Sequence, residues 1–153
     1  MAKQKKKKKV KPVPRGYHTV TAYLNMPDTL ALTDFCKKAF GGKLRASMPG
    51  PDGKIMHAEI EIGDSLIMSS DAVRDPVKTA NLFLYVPNVD KTFAKAEKAG
   101  AKVLMPLQDM PWGDRHGRVE DPWGNRWALA THIEDVSPKE MKKRLAAMQP
   151  PGE

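Results

Sequence analysis

His57 and Glu59 stand two residues apart in the segment KIMHAEIEI, where apolar and polar residues alternate. On an extended strand such a pair shares one face. An imidazole held against a carboxylate is the arrangement a general base needs. The plainer reading is a solvated strand face with ordinary cross-strand charge pairing. A second group lies in MPWGDRHGR, residues 110–118, where Trp112 and Arg115 have the chemistry to close over a planar or anionic ligand by stacking and paired hydrogen bonds. The alternative is that Trp112 covers a sheet edge or meets a second subunit. Just beyond lie Arg118 and Glu120, which the internal repeat described below sets opposite His57 and Glu59. Glu120 with Glu59, and Arg118 with either, can also simply pair.

These residues need elements to hold them, and the chain contains a duplication that supplies them. AYLNMPDTLALTDFCKKAFGGKLRASM, from Ala22, resembles LFLYVPNVDKTFAKAEKAGAKVLMPL, from Leu82. Leu24 matches Leu84, Pro27 matches Pro87, and Gly41 matches Gly100 after one residue is dropped. Glu59 then matches Glu120 and Gly63 matches Gly124. Two copies with a period of about 60 residues are too few and too long for a solenoid. Each copy reads βαβββ. In the first, a strand covers His18–Met26, a helix follows the capping residue Asp28, and strands lie near Lys43–Met48, Lys54–Ile62 and Ser65–Ser70. In the second, a strand covers Asn81–Val86, a helix runs from Val89 to Lys98, and strands lie near Lys102–Leu107, Gly117–Asp121 and Arg126–His132. A last helix, Pro138–Met148, starts after Ser137, with proline at the first helical position.

Composition narrows the class. The chain has 153 residues, 41% hydrophobic and 29% charged, with a net charge of +8. All eight excess charges lie in residues 1–15, a low-complexity Lys-rich run expected to be a disordered tail. The remainder is neutral, so only this tail makes a charge-based case for nucleic acid or an anionic surface. No apolar run approaches the length of a membrane span. With the single Cys36, an internal disulfide is excluded, and a reducing cytoplasm is the expected compartment.

The βαβββ pair, with PDTLALTDFCKKAFGGK in the first copy and VEDPWGNRWALATHIEDVS closing the second, resembles the vicinal-oxygen-chelate superfamily of glyoxalases, extradiol dioxygenases and bleomycin-resistance proteins. The stretch DGKIMHAEIEIGDSLIMSSD together with the EDPWGNRWALATH ending is most similar to its PhnB-like branch. The resemblance implies an α+β fold in which two βαβββ modules, 17–70 and 80–132, form a curved mixed-sheet cup with helices on the convex face. The domain would span 16–136, followed by a helix and tail at 137–153. It also implies a small-molecule ligand and a homodimer.

Metal-using members of the family place four ligands on the concave face. Carried onto this sequence, those positions fall at Thr21, Met68, Asn81 and Ala128, none a strong donor to a divalent ion. A metal held by His57, Glu59 and Glu120 has suitable ligand types but matches no family position. No metal and no cofactor are therefore expected.

Strand alternation predicts what lines the cup. Val20, Ala22 and Leu24 should face the helix, with Thr19, Thr21 and Tyr23 opposite. Met56, Ala58, Ile60 and Ile62 form the core set, placing His57, Glu59 and Glu61 in the cup. Leu82, Leu84 and Val86 face the core, with Asn81, Phe83 and Tyr85 opposite. Arg45 and Ser47 fall on the cup side, as does His132. His18 faces the helix, and His116 lies in a Gly-rich turn. The expected ligand-binding set is Thr21, Tyr23, Arg45, Phe83, Tyr85, Trp112, Arg115, Arg118 and Glu120. His57 and Glu59 are the candidate catalytic pair. Two functions compete: metal-independent binding in an aromatic-rimmed cup, and an isomerase, lyase or dioxygenase-like enzyme using His57 and Glu59 as base or an atypical metal site.

Overall fold

A computed structural model describes residues 10–73 and 75–148. The elements run β1 (Tyr23–Met26), α1 (Thr29–Phe40), β2 (Lys43–Pro49), β3 (Ile55–Ile62), β4 (Ser65–Asp71), β5 (Asn81–Tyr85), α2 (Val89–Lys98), β6 (Lys102–Asp109), β7 (Asp114–Glu120), β8 (Arg126–His132) and α3 (Pro138–Met148). They form two four-stranded sheets of order β1-β4-β3-β2 and β5-β8-β7-β6. In each, the first strand runs parallel to the last and the other pairs are antiparallel. This is the α+β arrangement of two βαβββ modules that the duplication predicts. Most of the Lys-rich run lies outside the described residues.

Each helix is started by a side chain and tied to its own sheet. Asp28 accepts from the Ala31 amide at 2.9 Å, and Asn88 from the Lys91 amide at 3.0 Å, satisfying otherwise orphaned donors. The first amide of each helix reaches the end of the parallel-paired strand: Thr29 N donates to Asp71 at 2.7 Å, and Val89 N to the Thr131 hydroxyl at 2.8 Å. Asp71 and Thr131 hold the same register position in the two modules. Gly41 ends α1 with φ 69°, a left-handed geometry that side chains resist.

The helix-facing sides of both sheets share one core. Leu24, Met26, Leu32, Phe35, Ile60, Val89, Phe93, Val119, Trp127 and Leu129 are buried together. Phe40 of α1 meets Trp127 of β8 with ring centroids 4.8 Å apart, and Phe35 meets Trp123 edge-on at 6.1 Å. The core is therefore sealed between the modules by aromatic rings. The lone Cys36 sits inside it, and burial pushes its thiol up to about 12.

Three local expectations differ from the structure. The first strand begins at Tyr23 and not at His18. Alternation is present upstream, but beyond the Ala22 carbonyl, which accepts from the Met68 amide at 2.9 Å, the segment has no ladder to join. Val20 is consequently exposed and not packed on a helix. In β2 the register slips between Leu44 and Ala46, so Ser47, expected on the cup side, pairs with the core residue Ala58, and Met48 takes the open face beside His57. Lastly, β7 starts at Asp114, three residues earlier than expected, because Asp114 and Arg115 find partners at His132 and Thr131 of β8. The turn there is confined to the residues around Gly113, which takes φ 96°.

Candidate functional site

The register places two rows of side chains on the sheet faces opposite the helices. In the first module, Tyr23, Met68 and Glu59 stand in line across β1, β4 and β3. In the second, Phe83, Ala128 and Arg118 stand in the equivalent line across β5, β8 and β7. The structural counterpart of Glu59 is therefore Arg118, and that of His57 is His116. This corrects the repeat alignment, which set Arg118 against His57 and Glu120 against Glu59. The cause is turn length: the β3–β4 turn is Gly63–Asp64, whereas the β7–β8 turn takes residues 121–125. Matching the two glycines in those turns slips the strands by two residues.

The first module's face is polar. His57 Nε2 lies 3.5 Å from Glu59 Oε1, and both side chains are about one-quarter exposed. The Tyr23 ring stands 6.0 Å from the His57 ring. Arg45, at the slip in β2, reaches the Glu61 carboxylate. The Tyr17 hydroxyl is buried, and burial together with the neighbouring Glu59 carboxylate pushes its pKa up to about 12. Thr21, expected on the strand, lies before it, and its hydroxyl donates to the His18 carbonyl at 3.2 Å. A cavity of about 280 Å³ opens beside Tyr23, Asn25, Ser70 and Asp71.

The second module's face is aromatic and is organised by Asp114, which is 2% exposed. Its carboxylate accepts from the Tyr85 hydroxyl at 2.9 Å and from Trp112 Nε1 at 3.1 Å, and it meets His132 Nδ1 at 2.8 Å. Burial opposes ionisation of Asp114, but the bonds from His132, Tyr85 and Trp112 outweigh it and hold its pKa below the usual carboxylate range. His132 is raised by Asp114 first and by Asp135, 2.9 Å from its Nε2, second. Beside this group, the His116 ring stacks on Phe83 at 5.3 Å and lies 6.3 Å from Trp112. Both His116 ring nitrogens are buried without a hydrogen-bond partner among the described residues. Burial and then the charge of Arg118 lower its pKa, favouring the neutral imidazole.

Phe83 and Tyr85 also form one side of an apolar cleft of about 790 Å³, facing His18, Val20, Ala22, Phe40 and the turn into β4. Glu120 spends its carboxylate on Arg126 at 3.4 Å. Arg118 is exposed on the same face.

Arg115 is not brought to this face. It alternates with Asp114 and His116 and so points to the helix side, where it binds both oxygens of Asp90 on α2, at 2.9 and 3.2 Å, and Asp109 at 3.1 Å. Trp112 and Arg115 therefore do not close on one ligand. The sequence reading missed Asp114 and placed His116 in a turn. Aligning the repeats on Ala58 and Gly117, the small residues that lie under the helices, is the signal that recovers His116.

The family's metal positions can be tested on chemistry. Met68 lies between Tyr23 and Glu59, Ala128 lies between Phe83 and Arg118, and Thr21 is off the strand. A thioether, a methyl, a hydroxyl and the Asn81 amide do not form a donor set for a divalent ion. The described residues contain no group of three or more His, Cys, Asp or Glu side chains placed to hold one.

The sequence profile of the Glyoxalase/Bleomycin resistance protein/Dioxygenase superfamily matches residues 17–129, and the chain belongs to that superfamily. A relative, the uncharacterized protein Mb0911c of Mycobacterium bovis, is 34% identical over 140 residues, covering 84% of this chain and 92% of its own. Among solved structures, TioX from Micromonospora sp. ML1 is 27% identical with a TM-score of 0.63, covering 74% of this chain and 99% of its own. The antibiotic-binding protein TnmS3 from Streptomyces sp. CB03234 is 24% identical with a TM-score of 0.60, covering 75% of this chain and 95% of its own, and so shares the fold.

Proposed function

We propose that this chain is a PhnB-like member of the superfamily that binds a small, planar organic molecule without the family's metal. The observation that carries this reading is the apolar cleft of about 790 Å³ where Phe83 and Tyr85 meet the aromatic face of the second module. Its size, its apolar walls and its few fixed polar groups fit a ligand pocket. The donor-poor set Thr21, Met68, Asn81 and Ala128 supports binding without a metal. The fold shared with an antibiotic-binding protein is consistent with this use.

A second copy of the chain is proposed to complete the cup, because Tyr23, Phe83 and Tyr85 are 49%, 50% and 64% exposed in one chain. No helix among the described residues is long and apolar enough to cross a membrane. The cytoplasm remains the proposed compartment, and the Lys-rich run a proposed tether to anionic surfaces.

A catalytic reading has one observation in its favour, the 3.5 Å approach of His57 to Glu59 on an accessible strand face. Ligand screening by thermal shift, with elemental analysis after equilibrium dialysis, separates the readings. Binding predicts a ligand-induced rise in Tm that persists in His57→Ala, Glu59→Ala and Arg115→Gln and shrinks in Phe83→Ala. Turnover of the ligand, lost in His57→Ala and Glu59→Ala, would replace it with the enzyme. A stoichiometric metal would overturn the metal-free reading.

A further inference from the structure

His116 is a buried polar side chain of the aromatic face whose bonding capacity is unspent. It is 8% exposed, and neither ring nitrogen has a partner among the described residues. Its polar neighbours are committed: Tyr85 and Trp112 both donate to Asp114, and Glu120 pairs with Arg126. A buried polar group left unpaired is uncommon in a folded protein and marks a place where something else supplies the bond.

The surroundings define what that is. Phe83 lies nearly flat on the imidazole, with 30° between the ring planes, and Trp112 flanks it. Phe83 is itself 50% exposed and also borders the large cleft, so its outer face is open to a second ring. We infer that His116 is the specificity-determining residue of this site, accepting a hydrogen bond from the hydroxyl of a planar hydroxylated aromatic molecule stacked among Phe83, Tyr85 and Trp112. This rests on the binding function proposed above and names its ligand class. A neutral imidazole has one bare nitrogen to accept from such a hydroxyl. Arg118, two residues on along the same face, favours the negative charge that the oxygen acquires as it donates. A ligand of the same shape lacking the donor would leave the nitrogen unpaired, and that is how polar sites discriminate.

The test uses the full chain with two matched probes, 2-naphthol and 2-methoxynaphthalene, titrated by tryptophan fluorescence and calorimetry. The wild type is expected to bind 2-naphthol roughly tenfold more tightly. His116→Phe keeps the ring stack and removes the acceptor, so its affinity for 2-naphthol should fall to that for 2-methoxynaphthalene, itself unchanged. In the wild type, 2-naphthol should also shift the His116 Cε1–H resonance, a readout independent of any variant. Equal binding of both probes by the wild type, with no shift at His116, overturns the inference and leaves the proposed binding function standing. So does a preference that survives His116→Phe. If neither probe binds the wild type at millimolar concentration, both readings fall.

Discussion

His132 holds the Asp114 carboxylate through Nδ1 at 2.8 Å, joining the end of β8 to the start of β7. The pair lies at the rim of the aromatic face, and the same carboxylate orients Tyr85 and Trp112. One buried acid therefore sets the positions of two rings and an imidazole.

This pair makes stability depend on pH in a stated direction. The pKa of His132 is raised in the fold, by Asp114 and then by Asp135. Its contribution is fully present below the unfolded value of about 6.5 and is lost as pH rises through the folded value. His132→Gln should therefore lower Tm most at pH 5.5 and least at pH 8.5. A Tm difference that is constant across this range would show that the His132 charge is not engaged.

The EDPWGN turn is predicted to be structural. Asp121, 4% exposed, accepts from Trp127 Nε1 at 3.0 Å, Asn125 Nδ2 at 2.8 Å and the amides of Trp123 and Asn125 at 3.0 and 2.9 Å. Asn125 in turn accepts from the Ala80 amide at 3.0 Å, just ahead of β5. Asp121→Ala leaves these buried donors unpaired and should cost about 3 kcal/mol. Chemical denaturation checks it, and a loss under 1 kcal/mol would mean that water replaces the carboxylate.

Gly117 of β7 lies directly under the Phe93 ring of α2. A Cβ there would lie 2.6 Å from Phe93 Cε2 and 3.0 Å from Leu107 Cδ2. Gly117→Ala should destabilise by roughly 1–3 kcal/mol through overpacking. Combining it with Phe93→Leu should recover part of the loss, because the clash is with the ring. Failure of that rescue in a double-mutant cycle would place the strain elsewhere.

The amino-acid sequence by itself determined the elements and their order. Hydrophobic alternation and the caps Asp28 and Ser137 are local signals, and α2, β8 and α3 fall at the residues expected from the sequence. The duplication likewise disclosed the two-module fold, since the modules repeat their core positions in the same order. It also named Tyr23, Phe83, Tyr85, His57 and Glu59 as residues of the open faces, because parity along a strand needs no knowledge of its neighbours.

Only the tertiary structure decided which polar groups meet. Whether Arg115 turns to the ligand face or to Asp90 depends on where β7 begins, which is set by its pairing with β8, and on the placement of α2, whose Asp90 lies 25 residues earlier in the chain. The pairing of His57 with His116 across the pseudo-repeat depends on register, which a difference in turn length hides from a linear alignment. Asp114 becomes a hub, and His116 an unpaired imidazole, through burial and long-range contact. These are properties of three-dimensional packing, and the order of residues along the chain does not contain them.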